Sequence, residues 1–373
     1  MLKVEQSKTP VVFWFVLAGW TLLNLVQAYF TELFHDETYF WLYSHKLRLV
    51  YWDHAPGIGA VIRAGTELFD GELGVRFFIV LLNSATLYIL WRIVQPVKVA
   101  VFFSVAFSML LMHLGGFFAA PDAPASFALA LTLLAMKRFI EKPVLLSGVL
   151  LGISVAMVCW CKYQAIVMVL LLALACIRLW RKPAFWVAVG LALVLYMPHL
   201  YWLLSSKLST FSYHLVQRGG KAGLGSRYLG DTLGGAALLL GPLITPLLLW
   251  ATLKNNVKNG FIPALRLAVA GYIAFLIFIS LVSPSESNWI APAALPLLVV
   301  ALTYFAQKTS LHKWLYAVGA LSIVLILTLR TYLAWNFLPS FKNTRNEFHG
   351  WKQWAMQVDS AAAGHPVVFI NSY

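Results

Sequence analysis

Apolar runs of roughly 18 to 25 residues recur along this chain, separated by short polar segments. Such a run, wound as a helix rising 1.5 Å per residue, spans the roughly 30 Å hydrocarbon core of a bilayer. The pattern predicts eleven membrane-crossing helices, near 11–30, 75–95, 98–115, 122–140, 144–161, 163–180, 184–203, 229–253, 264–282, 289–307 and 314–334. Residues 144–177 are almost unbroken apolar sequence. As one helix they would run about 51 Å, too long for a bilayer. The polar break Lys162-Tyr163-Gln164 therefore divides them into a hairpin. The fold class expected is an all-α polytopic membrane protein.

Composition agrees. Hydrophobic residues make up 61% of the 373 and charged residues 11%, against roughly 25% charged in soluble domains. The formal charge of +14 does not indicate nucleic acid, because the Lys and Arg residues are spread over many short loops rather than gathered in a patch. Cys159, Cys161 and Cys176 lie in apolar runs and imply neither a disulfide framework nor a metal site. The first apolar run lacks a signal-peptide cleavage site and reads as a retained span.

Basic residues orient the spans. With the N-terminus cytoplasmic, every inner segment holds at least two Lys or Arg, and the short outer turns at 115–121 and 283–288 hold none. Twelve of the fourteen acids then lie outside, on a periplasm-like face. Two outer segments break the pattern. One is 31–74, with seven acids and His35, His45 and His54; the other is 204–228, basic and glycine-rich, with Arg218 and Lys221. A basic outer loop suits an anionic ligand and equally a solvated linker.

The loop 31–74 carries the densest chemistry, and ionisable groups are costly near a bilayer unless they have work to do. Asp36-Glu37 opens an aromatic, amphipathic stretch that suits a helix lying in the interface. Such a carboxylate can act as a general base or simply favour a helix N-terminus. Asp53-His54-Ala55-Pro56 precedes a second interfacial helix. His35, Asp53 and His54 have the donor types for a divalent ion, without diagnostic spacing. Asp122 opens the fourth span as an N-cap or a cavity group. Lys162, at an outer turn, can snorkel or hold a phosphate as a point charge. His199, Trp202 and Asn288-Trp289 suit interfacial anchoring.

Taken in order, these motifs resemble a known family. They are the Asp-Glu pair after the first span, Tyr51-Trp52-Asp53-His54-Ala55-Pro56, Gly74-Val75-Arg76, Pro121-Asp122-Ala123-Pro124, Lys162-Tyr163, Pro198 to Trp202, Gly241-Pro242 and Asn288-Trp289. The ordered set is similar to membrane glycosyltransferases of the GT-C fold, in the bacterial branch of the protein O-mannosyltransferase and lipid A aminoarabinose transferase superfamily. Cys161 stands where serine is more usual, and Ala55 where proline is common.

The resemblance implies an inverting transfer of sugar from a polyprenyl-phosphate donor to an acceptor, either lipid A, another glycolipid, a polysaccharide or a protein, at the outer face of a bacterial inner membrane. It implies Asp36 as base with Glu37 beside it. Lys162, with Arg218 and Lys221, would bind the donor phosphate. Asp53, His54, Asp122 and Trp289 would bind sugar or acceptor. No cofactor is certain; a divalent metal at His35, Asp53 and His54 is the one considered. Membrane lipids are partners; nucleic acid is not. Residues 1–334 form the membrane module, with interfacial helices in 31–74, and 335–373 begin a soluble outer segment ending in a strand-like run, expected to continue in a longer protein. The alternative class is a transporter or flippase of a lipid-linked glycan, which would place ionisable residues near the bilayer midplane.

Overall fold

The computed structural model describes residues 9–51, 54–205, 228–258, 260–335, 337 and 349–365. Among them there is no strand. The helices are α1 (Val11–Phe30), α2 (His35–His45), α3 (Gly57–Thr66), α4 (Gly71–Val94), α5 (Val99–Ala106), α6 (Leu110–Phe117), α7 (Asp122–Glu141), α8 (Leu145–Cys161), α9 (Tyr163–Ala175), α10 (Pro183–Ser205), α11 (Leu229–Leu240), α12 (Thr245–Lys254), α13 (Phe261–Val282), α14 (Ala291–Gln307), α15 (His312–Trp335) and α16 (Trp351–Ala362). All eleven expected apolar segments are helical. α2 and α3 are the two short helices expected in the first loop. Most of the strand-like run over 365–370 lies outside the described residues.

Only seven of the eleven segments are long, single apolar helices. α8 and α9 are shorter. The segments expected as straight spans at 98–115 and 229–253 are instead bent pairs, α5–α6 by 82° and α11–α12 by 89°. Both pairs nevertheless cross the bundle. Near the start of α4, Arg76 binds Glu37, and Glu37 binds the amide of Ala119, just before α7. At the opposite ends of the same two helices, Lys137 Nζ donates to the Ile93 carbonyl at 2.8 Å. So α4 and α7 run in the same direction, and α5–α6 must return the chain across the full thickness. Likewise Thr232 of α11 meets Ser285 at 2.6 Å. Asn255, after α12, donates to Val300 O and Thr303 Oγ1 near the far end of α14.

A break inside lipid frees backbone groups that water cannot reach, so the protein must satisfy them. Side chains at the breaks do so. Ser108 Oγ donates to Ser104 O at 2.6 Å, and His113 Nε2 donates to Phe107 O at 2.8 Å. Thr245 Oγ1 donates to Ala237 O at 3.2 Å, the carbonyl left when the Gly241 amide turns to Leu238 O. The two breaks also touch each other. Gly241 has φ +96° and packs its backbone against the Ser108 carbonyl, where a Cβ has no room.

Close packing elsewhere places the site residues. Gly148 and Gly152, one turn apart on α8, lie against the backbone of Ala184 and Ala188 on α10. Small residues at that spacing let membrane helices approach closely. This contact brings the ends of α8 and α10, with Lys162 and His199, to the same side of the bundle. α14 runs through the middle, apolar on every face and almost wholly buried, as a helix without a polar stripe must be.

Among the described residues, a charge without an ionic partner also sits inside the bundle. Arg330 of α15 is 2% exposed. It stacks its guanidinium on Phe117 at 5.0 Å and Trp20 at 5.5 Å and donates to Gln27 Oε1 at 3.3 Å and His113 Nδ1 at 3.4 Å. Among the described residues it has no carboxylate partner. Aromatic faces and neutral acceptors spread its charge.

The break contact yields a stability test. Gly241→Ala places a side chain at a positive φ and against Ser108, and the backbone strain alone costs about 1–3 kcal/mol. Gly234→Ala lies mid-helix with open space around it and should be neutral or stabilising by up to ~1 kcal/mol. Thermal unfolding of the detergent-purified protein should show a large loss for the first variant and none for the second.

Candidate active site

The site begins where α1 ends. The last carbonyls of any helix lack partners within it. Here Arg76 of α4 supplies them, with Nη1 donating to Ala28 O at 3.1 Å and Thr31 O at 2.5 Å, and Nη2 donating to Glu32 O at 2.9 Å. The same guanidinium grips Glu37 in a two-pronged contact, Nε to Oε1 at 2.7 Å and Nη2 to Oε2 at 2.5 Å. Glu37 also accepts from the backbone amides of Phe34 at 3.0 Å and Ala119 at 2.8 Å. Both side chains are fully buried. One ion pair thus joins α1, α2, α4 and the segment leading into α7.

This decides which of the adjacent carboxylates reaches open space. Successive helical residues point about 100° apart, so burying Glu37 turns Asp36 outward. Asp36 is half exposed, with Oδ1 3.3 Å from His35 Nε2. Burial pushes its carboxyl above the usual aspartate range; His35 and His54 pull it back, while Glu286 and Glu37 add to the rise. Glu37, expected beside Asp36 as a catalytic group, is instead sealed behind it as the anchor of the helix.

Asp36 lines a cavity of about 600 Å³. The same cavity is lined by a second ionic cluster. Lys162 is the single non-helical residue between α8 and α9, held extended at φ −158°. Its Nζ lies 2.5 Å from Asp122 Oδ1 at the start of α7 and 3.4 Å from Asn288 O. Asn288 Nδ2 in turn donates to Asp122 Oδ2 at 3.2 Å. Trp289 lines the same cavity, as do His54, Tyr163 and Glu286. A smaller cavity of about 160 Å³ adjoins it, sharing Asp36, Asp122 and Asn288 and running toward Met112 and Asn83.

The structure therefore brings Asp36, His54, Asp122, Lys162 and Trp289 into one cavity from five separate stretches of chain. Asp53, Arg218 and Lys221 lie outside the described residues. Among the described residues, no three His, Cys, Asp or Glu side chains gather as a metal-ligating set; His35 and His54 are described, their third suggested partner Asp53 is not. Glu286 escaped the sequence reading, although an acid in an outer turn without basic residues was the available signal. His199, read as an anchor, is buried and hydrogen-bonds Tyr163 of the cavity wall at 2.9 Å.

Comparison with known proteins adds three findings. The family model for dolichyl-phosphate-mannose-protein mannosyltransferase matches residues 53–202. Lipid A galacturonosyltransferase RgtD of Rhizobium johnstonii is 25% identical over 257 residues, 64% of this chain and 53% of that protein; the chain spans about half the length of this curated relative. Crystal structures of ArnT from Cupriavidus metallidurans superpose with TM-scores of 0.62 for the form bound to undecaprenyl phosphate and 0.63 for the apo form. Identity is 14% and 16%, covering 87% and 89% of this chain and 73% and 66% of ArnT. The likeness to ArnT is one of fold: an all-α, polytopic GT-C architecture.

The two carboxylates should behave oppositely on substitution. Removing one partner of a buried ion pair costs about 3–5 kcal/mol, so Glu37→Gln and Arg76→Met should each lower the unfolding temperature sharply. Asp36 has a raised pKa in the fold, so its charged form is disfavoured there, and the stability linked to it falls as pH rises through that pKa. Asp36→Asn should therefore unfold at or above the wild-type temperature at neutral pH, measured by the same thermal assay.

Proposed function

We propose that this chain, which shares the GT-C fold of ArnT and is similar over residues 53–202 to the protein mannosyltransferase family model, is a membrane glycosyltransferase. It takes a sugar from a polyprenyl-phosphate carrier and transfers it to a hydroxyl of a glycolipid such as lipid A. The observation that carries this reading is the presence, in one cavity, of a half-exposed carboxylate with raised proton affinity and a lysine at the turn between two spans. A base for a hydroxyl and a cation for a phosphate are the two groups such a displacement needs.

In the reaction, Asp36 accepts the proton of the acceptor hydroxyl. That oxygen attacks the anomeric carbon on the face opposite the phosphate, the bond from the anomeric carbon to the phosphate oxygen breaks, and polyprenyl phosphate departs with the electron pair. The sugar's configuration inverts. Phosphate is a stable leaving anion, so the site must supply positive charge rather than a proton. Lys162 supplies it. Asp122 and Asn288 hold the ammonium in place, and Asn288 can turn its amide to the sugar. The raised pKa of Asp36 makes it a stronger base than an ordinary aspartate. Arg218 and Lys221, in the basic segment 204–228, would add charge for the phosphate, and Asp53 and His54 would contact sugar or acceptor. A protein acceptor is an alternative within the same chemistry.

The site faces the outside of the cell in this reading. Its support is the distribution of Lys and Arg among the short loops. Leu68 is 60% exposed in the first loop, and the three native cysteines are buried or half-buried. Leu68→Cys should react in intact spheroplasts with a membrane-impermeant maleimide; labelling only after lysis would reverse the orientation.

Transfer is tested with membranes carrying the full-length protein and a radiolabelled polyprenyl-phosphate sugar pool. Asp36→Asn should lower transfer by about 10²–10⁴, the usual contribution of a general base. Wild-type transfer should fall as pH drops through the raised Asp36 pKa, and the variant should lose that limb. Normal transfer by the variant would remove Asp36 as base. Movement of labelled lipid between leaflets without transfer would make the protein a flippase.

A further inference from the structure

We propose that Tyr163 receives a hydroxyl of the transferred sugar, and that His199 and the Leu49 carbonyl fix the direction of that hydrogen bond; this rests on the transferase reading above.

The argument is one of donors and acceptors. His199 Nδ1 lies 3.0 Å from Leu49 O. A carbonyl only accepts, so Nδ1 carries the hydrogen. Neutral imidazole protonated at Nδ1 has a lone pair at Nε2. The hydroxyl of Tyr163, 2.9 Å from Nε2, must therefore donate to it. A phenol has one hydrogen to give, and His199 takes it. Toward any ligand in the cavity, Tyr163 Oη can act only as an acceptor.

That excludes one ligand group and selects another. Phosphate oxygens under turnover conditions have no hydrogen to offer Tyr163, whereas sugar hydroxyls do. Position points the same way. Tyr163 follows Lys162 directly, and both line the cavity. A phosphate held by Lys162 puts its attached sugar within reach of the next residue. The acceptor's hydroxyl is accounted for separately by Asp36.

The device that sets the direction is built into the packing. His199 has no exposure and is walled by the rings of Trp160 at 5.7 Å, Tyr196 at 5.1 Å and Trp202 at 6.1 Å. It cannot rotate to exchange its two nitrogens without disturbing α8 and α10. Leu49 belongs to the loop between α2 and α3, so the loop that follows the Asp36 helix also sets the polarity of the sugar contact.

The test uses the full-length protein, the labelled polyprenyl-phosphate sugar, and sugar-free undecaprenyl phosphate as a competing probe. Tyr163→Phe should raise KM for the sugar-bearing donor about tenfold, the effect of one hydrogen bond, with inhibition by undecaprenyl phosphate unchanged. His199→Gln should stay within about threefold of wild type, since its amide can donate to Leu49 O and accept from Tyr163. His199→Phe should resemble Tyr163→Phe. Unchanged KM in Tyr163→Phe, with wild type transferring normally, would reduce the pair to a helix contact and sink this inference alone. Equal weakening of undecaprenyl phosphate would put Tyr163 on the phosphate. A wild type that transfers nothing takes down the transferase reading and this inference with it.

Discussion

The buried pair between Glu37 and Arg76 is the contact on which the rest of the site depends. A desolvated carboxylate and guanidinium are costly unless every hydrogen-bonding position is filled. Here the guanidinium fills its remaining positions with one carbonyl from the last turn of α1 and two just beyond its end, and the carboxylate fills its own with two backbone amides. The pair therefore stitches together three helix ends and the approach to α7. It also fixes the rotation of α2, and rotation is what gives Asp36 its exposure to the cavity. Asp36 needs no special contact of its own; its neighbour is held, so it must face outward.

The bilayer imposes the second constraint. Helices are favoured in lipid because they satisfy their own backbone, and each departure from a helix has a visible remedy. The two bent spans are supported by Ser108, His113 and Thr245, which bond the freed carbonyls. His113 in turn accepts from Arg330, whose guanidinium shares the ring of Phe117 with Arg76. The break in α5–α6 and the anchor of the Asp36 helix are thus linked through one aromatic ring.

The cavity's charges are arranged rather than balanced. Among the described lining residues, Asp36, Asp122 and Glu286 face a single lysine. Asp122 is committed to Lys162, which leaves Asp36 beside Glu286. Burial first, and the like charge of Glu286 after it, raise the proton affinity of Asp36. The arrangement leaves one carboxylate pair, Asp36 and Glu286, apart from the lysine that Asp122 holds, which is the separation the proposed transfer requires. Tyr163 stands beside that lysine, with its hydrogen turned away.

The positions of the spans were legible in the sequence because lipid allows few solutions: a long apolar run has to be a helix, and 34 such residues have to turn at Lys162. The interfacial helices and the gathering of Asp36, Asp122 and Lys162 were legible from acids and a lysine standing where apolar residues prevail. The bends were not, since Ser108 and Gly241-Pro242 lie in runs whose hydropathy is that of a straight span, and the side-chain bonds and close packing that make each break tolerable are tertiary. Nor were the separate roles of Asp36 and Glu37, which are neighbours of like charge and like length. Sequence determined which segments enter the membrane, because that depends on local transfer energy. Tertiary structure alone decided which carboxylate faces the cavity and which way a tyrosine points its hydrogen, because those depend on the pairs Glu37–Arg76, Tyr163–His199 and His199–Leu49, whose members lie 39, 36 and 150 residues apart along the chain.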